Sequence, residues 1–378
     1  MTILVLVPFS FYQQSGSSLS TYYRIMALLD LGYDIDIITY PHGNNLPDEK
    51  LNILRSPGRK LFSSFQPGEY KKKIVYDFFI LTKCVRQLIK KKYDVVIVHG
   101  TMTYWIALIK AFFKPHFIAM KHGNLDVEVA KWGISNKKWI IRLARGIDVW
   151  FTNRYKKIIC EHHSVMDKFL EAGIQKHKLS LIRIAIISSP TLNADKNTSR
   201  PFQILYAGTF VKVQNIELLY KTAELLKNEN VVFNIIGAVG IELEEGLKII
   251  NSMGISDHVK IIERKPQSEL KNYFLNSDIV VSPRVFGHDT PMKIFDYLNF
   301  GKCILATDEP IHTEILNKRN AYLTDGTPDS FANAILDLKH HPDLITKLGS
   351  QAKTDFTKKY GFDQMVHKYK ELIESIDH

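Results

Sequence analysis

Apolar and polar residues follow two rhythms along this chain. Short, nearly continuous apolar runs bounded by turn residues predict buried strands. They cover residues 3–7, 35–39, 94–99, 117–120, 149–152, 203–207, 231–237, 260–262, 279–281 and 303–306. Between the runs, apolar residues recur at helical spacing. That predicts helices over about 19–31, 74–91, 104–114, 164–172, 215–226, 268–276, 291–300 and 330–339, with more from 343 to 376. Strands alternating with helices predict an α/β protein with parallel sheets. Residues 40–70 are polar and irregular, with four prolines. Residues 188–200 hold Pro190, Asn193 and Asn197 without periodicity and mark a boundary. The expected organisation is a first domain over 1–190, a second over 200–360 and a closing helix over 361–378 packed back towards the first.

The stretch 279–307 carries the most chemistry. It reads as strand, loop, helix, turn and strand. Thr290 suits an N-cap and Pro291 the first helical position, where no backbone donor is needed. Lys293 and Asp296 share one face at i, i+3. Gly301 ends the helix. A helix start with unpaired N–H groups and a lysine in its first turn suits a diphosphate. A carboxylate one turn further on suits ribose hydroxyls. A plain capped helix with a surface Lys–Asp pair explains the same residues.

The stretch resembles the donor-site signature of the group 1 (family 4) glycosyltransferases of the GT-B fold. That family carries two glutamates with a seven-residue spacer, then a Gly-x-Pro-Val-Val strand. Here Asp296 takes the second position, Gly301 to Leu305 follow in register, and His288 stands at the first. Pro291-Met292-Lys293-Ile294-Phe295-Asp296-Tyr297 is closer still to a variant branch, Pro-x-Lys-x-Phe-Glu-Tyr. The resemblance implies two Rossmann-like domains facing a cleft. It implies a nucleotide-sugar donor on the second domain, a glycan or lipid-linked acceptor on the first, and transfer with retention, without a metal or other cofactor.

The resemblance also implies roles for particular residues. Lys293, Lys212, Thr290 and Pro291 would take the leaving phosphate, with His288 and Asp289 beside them. Asp296 would hold ribose. Gly208 and Thr209, after the first strand of the second domain, would approach the diphosphate. Gly16 and Ser17, in the loop after the first strand, and His122, just past a strand end, would face the sugar. Three positions depart from the family, the first being His288 in place of its first glutamate. Thr209 stands for its usual arginine and Gln214 for its usual lysine, so Lys212 is the expected substitute.

Composition adds a partner and removes several classes. The chain has 378 residues and a formal net charge of +11. Residues 1–195 hold 28 lysines and arginines against 15 acidic residues, leaving 22 against 24 for the remainder. An anionic partner is therefore expected for the first half. Residues 104–114, aromatic and lysine-bearing, fit an interfacial membrane helix, and somewhat better a core-facing helix with snorkelling lysines. No apolar run approaches the ~20 residues of a membrane span. The start has neither a basic region nor a cleavage site. Cys84, Cys160 and Cys303 have no disulfide or metal spacing. A cytoplasmic enzyme of cell-surface polysaccharide or glycolipid synthesis is expected, peripheral on the inner membrane face where the charge is used. The rival readings are an inactive nucleotide-sugar binder, an epimerase of similar fold and a glycosyltransferase acting on nucleic acid. For the last, no recognised nucleic-acid motif is present.

Overall fold

The computed structural model describes residues 1–11, 16–44, 51–58, 70–131, 137–183, 200–286 and 291–376. The chain divides into two compact units, Met1–Ala185 with Phe362–His378, and Ile186–Gly361.

The first unit opens with β1 (Thr2–Val7), α1 (Gly16–Asp30), β2 (Asp34–Thr39), β3 (Leu51–Arg55) and α2 (Tyr70–Lys90). It continues with β4 (Val95–His99), α3 (Met102–Ile109), β5 (His116–Lys121), α4 (Leu125–Lys131) and α5 (Lys138–Thr152). β6 (Lys157–Cys160), α6 (His163–Glu171) and β7 (Leu179–Leu181) close that run. The second unit holds β8 (Phe202–Ala207), α7 (Ile216–Leu225), β9 (Val231–Ala238), α8 (Ile241–Ser252), β10 (Val259–Glu263) and α9 (Gln267–Asn276). Then come β11 (Ile279–Ser282), α10 (Met292–Asn299), β12 (Cys303–Thr307), α11 (Pro310–Thr313) and β13 (Tyr322–Thr324). α12 (Pro328–His340) and α13 (Pro342–Lys359) complete it, and α14 (Phe362–Glu374) belongs to the first unit.

Both sheets are parallel. Among the described residues the order is β3-β2-β1-β4-β5-β6-β7 in one and β10-β9-β8-β11-β12-β13 in the other. Each is a doubly wound, Rossmann-like sheet, as the strand–helix alternation predicts. In each, the order reverses beside the first strand, between β1 and β4 and between β8 and β11. Ligands of such sheets bind outside the carboxyl ends of the strands at that reversal. The central strands are covered on both faces, which is why they read as continuous apolar runs. Leu4, Leu6, Val96 and Val98 are buried in one core, and Ile204, Tyr206, Val281 and Leu305 in the other. Truncating one such leucine to alanine costs about 2–5 kcal/mol.

Two expectations are corrected. Residues 149–152, expected as a strand, end α5. Their β-branched and aromatic side chains look strand-like, but Ala144, Asp148 and Thr152 lie inward at helical spacing. The strand expected there is β6, a few residues later. The irregular stretch 40–70 contains β3, whose pattern of one buried residue and four at least partly exposed is that of an edge strand. Around residues 104–114 the core-facing reading agrees with α3, where Met102, Thr103 and Ile106 are buried, though the helix ends at Ile109 and a short 3-10 turn over Lys110–Phe112 follows.

Candidate active site

The carboxyl ends of β8 and β11 hold the expected donor residues. Gly208 follows β8, and its N–H donates to Ile236 O at 2.9 Å. Gly237, with φ +127°, lies so close that a Cβ there would sit 1.8 Å from Gly208 O. No other residue fits this contact. The Tyr206 hydroxyl donates to Thr209 O at 2.7 Å and holds the loop from beneath. Asn215, with φ 55°, caps α7 and donates its side-chain amide to Pro283 O at 3.2 Å, which ties this loop to the end of β11.

Lys293 enters from the first turn of α10. Its Nζ donates to Gln214 Oε1 at 2.7 Å and lies 3.9 Å from the Tyr206 ring centroid. The side chain is buried. Burial, with nearby Arg284, holds its pKa well below the usual lysine value. Among the described residues no carboxylate pairs with it. A buried ammonium without a counter-charge is costly to the fold. An anion arriving there would be held strongly.

α10 begins one residue later than the sequence suggests. Pro291 has ψ 133° and occupies the cap position, with no side-chain cap bond. An extended ψ keeps it outside the helix, and its carbonyl accepts the first turn bond, from Ile294 N–H at 2.9 Å. The Met292 and Lys293 N–H groups have no intrahelical partner. Asp296 lies one turn on, half-buried. The helix ends with Gly301 at φ +63°; the Gly301 N–H donates to Leu298 O at 3.0 Å and the Lys302 N–H to Tyr297 O at 3.1 Å. His288, Asp289 and Thr290 lie outside the described residues. Lys212 is exposed on a short turn, and Gln214, two residues on, contacts Lys293.

Two neighbours have no signal in the sequence. Arg284, after β11, contributes charge at Lys293. His312 is buried, with Nε2 2.8 Å from Ser282 Oγ and Nδ1 2.9 Å from Thr307 Oγ1. Burial pushes its pKa down to about 3, so it is neutral.

The first unit's sheet mouth is built differently. His122 follows β5, and both its ring nitrogens are engaged. Nδ1 lies 2.6 Å from Glu161 Oε2, and Nε2 lies 3.1 Å from His99 Nδ1. Glu161, just past β6, also accepts from Ser20 Oγ at 2.8 Å and Arg24 Nη2 at 3.0 Å, both on α1. Arg24 Nη1 donates to the Tyr369 hydroxyl of α14 at 3.3 Å. Burial alone would raise the Glu161 pKa, but Arg24 and His122 outweigh it and hold the carboxylate well below its usual value. Burial, then His122 and Arg24, hold His99 well below 6.5, so it is neutral. The neutral His99 and His122 share one hydrogen bond, whose direction the tautomers set. Gly16 opens α1 and Ser17 follows it. Lys73 of α2 also reaches this mouth, donating to Pro8 O at 3.0 Å.

Behind His122, Lys121 and Asp148 form a buried pair at 2.7 Å, and Asp148 Oδ2 accepts the first N–H of α4 from Leu125 at 2.9 Å. Of the expected residues the first unit thus holds His122 in a network with α1, through Ser20 and Arg24, and the second brings Lys293 to Gly208, with Thr209 held by Tyr206 and with Pro291 and Asp296 at and along α10. His99, Glu161 and Arg24 were missed. Among the described residues no group of His, Cys, Asp and Glu could hold a metal ion, and no helix is long and apolar enough to cross a membrane.

Two family models match, "Glycosyltransferase Family 4" over residues 15–186 and "Glycosyl transferases group 1" over 190–355. The chain belongs to the glycosyltransferases. Solved structures similar to this glycosyltransferase agree in fold across its length. Sucrose-phosphate synthase from Thermosynechococcus elongatus superposes with a TM-score of 0.78 at 13% identity, covering 100% of this chain and 99% of that one. Anabaena HepE, solved in complex with UDP, gives 0.76 at 14%, covering 99% and 100%. A glycosyltransferase from Rickettsia africae gives 0.75 at 16%, covering 99% and 98%. No curated protein matches this glycosyltransferase by sequence.

Proposed function

We propose that this glycosyltransferase moves a sugar from a nucleotide-sugar donor to a glycan or lipid-linked acceptor, with retention at the anomeric carbon. The observation that carries the reading is Lys293: a buried lysine whose charged form burial disfavours, with no carboxylate among the described residues, beside an uncapped helix start. A diphosphate supplies the missing charge. Gly208 and Gly237 leave the backbone bare where it would lie. HepE and TarM, both similar in fold, were solved with UDP.

In this reading the second unit holds the donor and the first the acceptor. Lys293, Lys212, Gly208, Thr209 and Pro291 bind the diphosphate, with His288, Asp289 and Thr290 at the same loop. Asp296 holds the ribose. The bond from the anomeric carbon to the phosphate oxygen breaks, and the electron pair leaves with the diphosphate. The acceptor oxygen bonds to that carbon and gives up its proton. Lys293 and the α10 N–H groups stabilise the leaving charge. His122, held by Glu161, faces the sugar, with Gly16 and Ser17 nearby. No metal takes part. The setting is cell-surface polysaccharide or glycolipid synthesis on the cytoplasmic side, with the basic first unit towards an anionic membrane.

The test is a panel of UDP-, GDP-, ADP-, dTDP- and CMP-sugars, read by calorimetry and by nucleotide release. One donor is expected to bind and to turn over slowly into water. Lys293→Met is expected to weaken that binding by about a hundredfold, a charge-assisted bond to phosphate being worth about 1.5–3 kcal/mol. Binding of no donor, or binding indifferent to Lys293, would sink the reading. Binding without turnover under any acceptor would favour the inactive binder.

A further inference from the structure

α5 carries its apolar side chains on the outside. Ala144, Asp148 and Thr152 face the unit, while Trp139, Leu143, Ile147 and Trp150 recur at helical spacing on the opposite face. They are 65%, 55%, 39% and 55% exposed. An exposed apolar stripe of this length marks an interaction surface. Arg142 flanks the stripe and Lys138 lies further round the helix, both exposed. The one acid on the helix, Asp148, is buried against Lys121. Arg145, on the flank, pairs with Glu171 at 3.1 Å.

The charge continues past the helix end. The Arg154 guanidinium lies 3.4 Å from the Trp150 ring centroid. Beyond it, at the amino ends of β5 and β6, is a cavity of about 500 Å³ lined by Lys110, Lys114, Lys156, Lys157 and Lys178. None of these lysines pairs with a carboxylate among the described residues. Phe112, at the turn that carries Lys110, is 83% exposed. Burial, then Arg154, Lys156 and Lys178, lower the Lys110 pKa, so these cations crowd one another.

We infer that α5 docks the first unit on an anionic phospholipid surface. Trp139, Leu143, Ile147 and Trp150 enter the acyl boundary, and Arg142, Arg154 and the lysine cavity meet headgroup phosphates. Aromatic and aliphatic side chains interleaved with cations are what an interfacial helix needs. A second copy fits worse, because a two-fold contact would bring Arg142 and the unpaired lysines against their own copies. A nucleic-acid duplex fits worse, because its stacked bases offer the aliphatic part of the stripe no apolar surface. As α5 runs antiparallel to the strands, its Trp139 end lies towards the sheet mouth that holds His122. The whole flank beside that mouth therefore rests on lipid.

This docking does not depend on the donor reading, and it is measured without donor. The full chain is sedimented with vesicles of phosphatidylcholine alone and of equimolar phosphatidylcholine and phosphatidylglycerol, at low and high salt. Binding to the mixed vesicles only, weakened by salt, is expected. The triple variant Trp139→Ser, Leu143→Ser, Trp150→Ser should lose it. Arg142→Gln with Arg154→Gln should weaken it by roughly ten- to thirtyfold. Both variants should keep the wild-type melting temperature and donor binding, since these side chains support neither core nor donor site. Failure of the full chain to bind mixed vesicles, or equal binding by the triple variant, would overturn the inference. So would a dimer in solution that the triple variant breaks, since a second copy would then cover the stripe.

Discussion

The two sheet mouths use the same strand order and opposite electrostatics. In the first unit the buried charges are matched. Glu161 is held between Arg24 and His122, and Lys121 is held against Asp148. In the second, among the described residues, Lys293 is buried against an amide oxygen, Gln214 Oε1, and the Tyr206 ring, with no carboxylate. A matched network keeps its geometry without a ligand. An unmatched cation stores the demand for one. The first mouth is thus balanced in charge by itself, and the second gains balance only from an anion, as the proposed donor site requires.

Substitutions can break or sharpen this contrast. The largest effect is expected from Glu161→Gln. It leaves Arg24 buried without its carboxylate and should destabilise the first unit by about 3–5 kcal/mol, read by denaturant unfolding. Lys293→Met removes an unmatched charge and should leave the melting temperature unchanged or raised while donor binding collapses. If it destabilised the protein as Glu161→Gln does, the contrast between the mouths would fail. The smallest effect is the acid slope. His99 and His312 are neutral in the fold, with pKa values below the ~6.5 of an unfolded histidine. As pH falls below that value the unfolded chain takes up protons first. Stability present above it is then lost at about 1.4 kcal/mol per pH unit for each histidine. For His312 the loss runs down to about pH 3. Unfolding curves of His312→Gln between pH 6.5 and 5 should have a shallower slope than wild type, by about 1.4 kcal/mol per pH unit. An unchanged slope would mean that His312 is protonated in the fold.

The sequence made the second mouth easier to read than the first. Gly208, Lys293, Asp296 and Gly301 sit in two short segments whose local grammar, strand end, helix start and C-terminal glycine, is visible one residue at a time. Only the start of α10 shifted, because Pro291 takes an extended ψ instead of entering the helix. The network around His122 is assembled from residues far apart in the chain. Arg24, His99, Glu161 and Tyr369 meet because β4 and β6 end where the middles of α1 and α14 pass, and no local pattern announces that. Glu161 was further hidden because its strand, β6, was placed eight residues early. The four residues 149–152 have strand-forming side chains, and the helical spacing of 144, 148 and 152 is the signal that outranks them. The same misreading concealed the outward stripe of α5.

The hydrogen bond from Arg24 to Tyr369 joins residues 345 positions apart. On a ribosome that distance is time. The first unit emerges early, and its Arg24 waits while the whole second unit is made. Only when α14 appears does the guanidinium gain its second partner. Order of synthesis and order of completion are therefore reversed: the unit begun first is finished last. A nascent chain halted before residue 362 would hold a whole second unit and an unfinished first one.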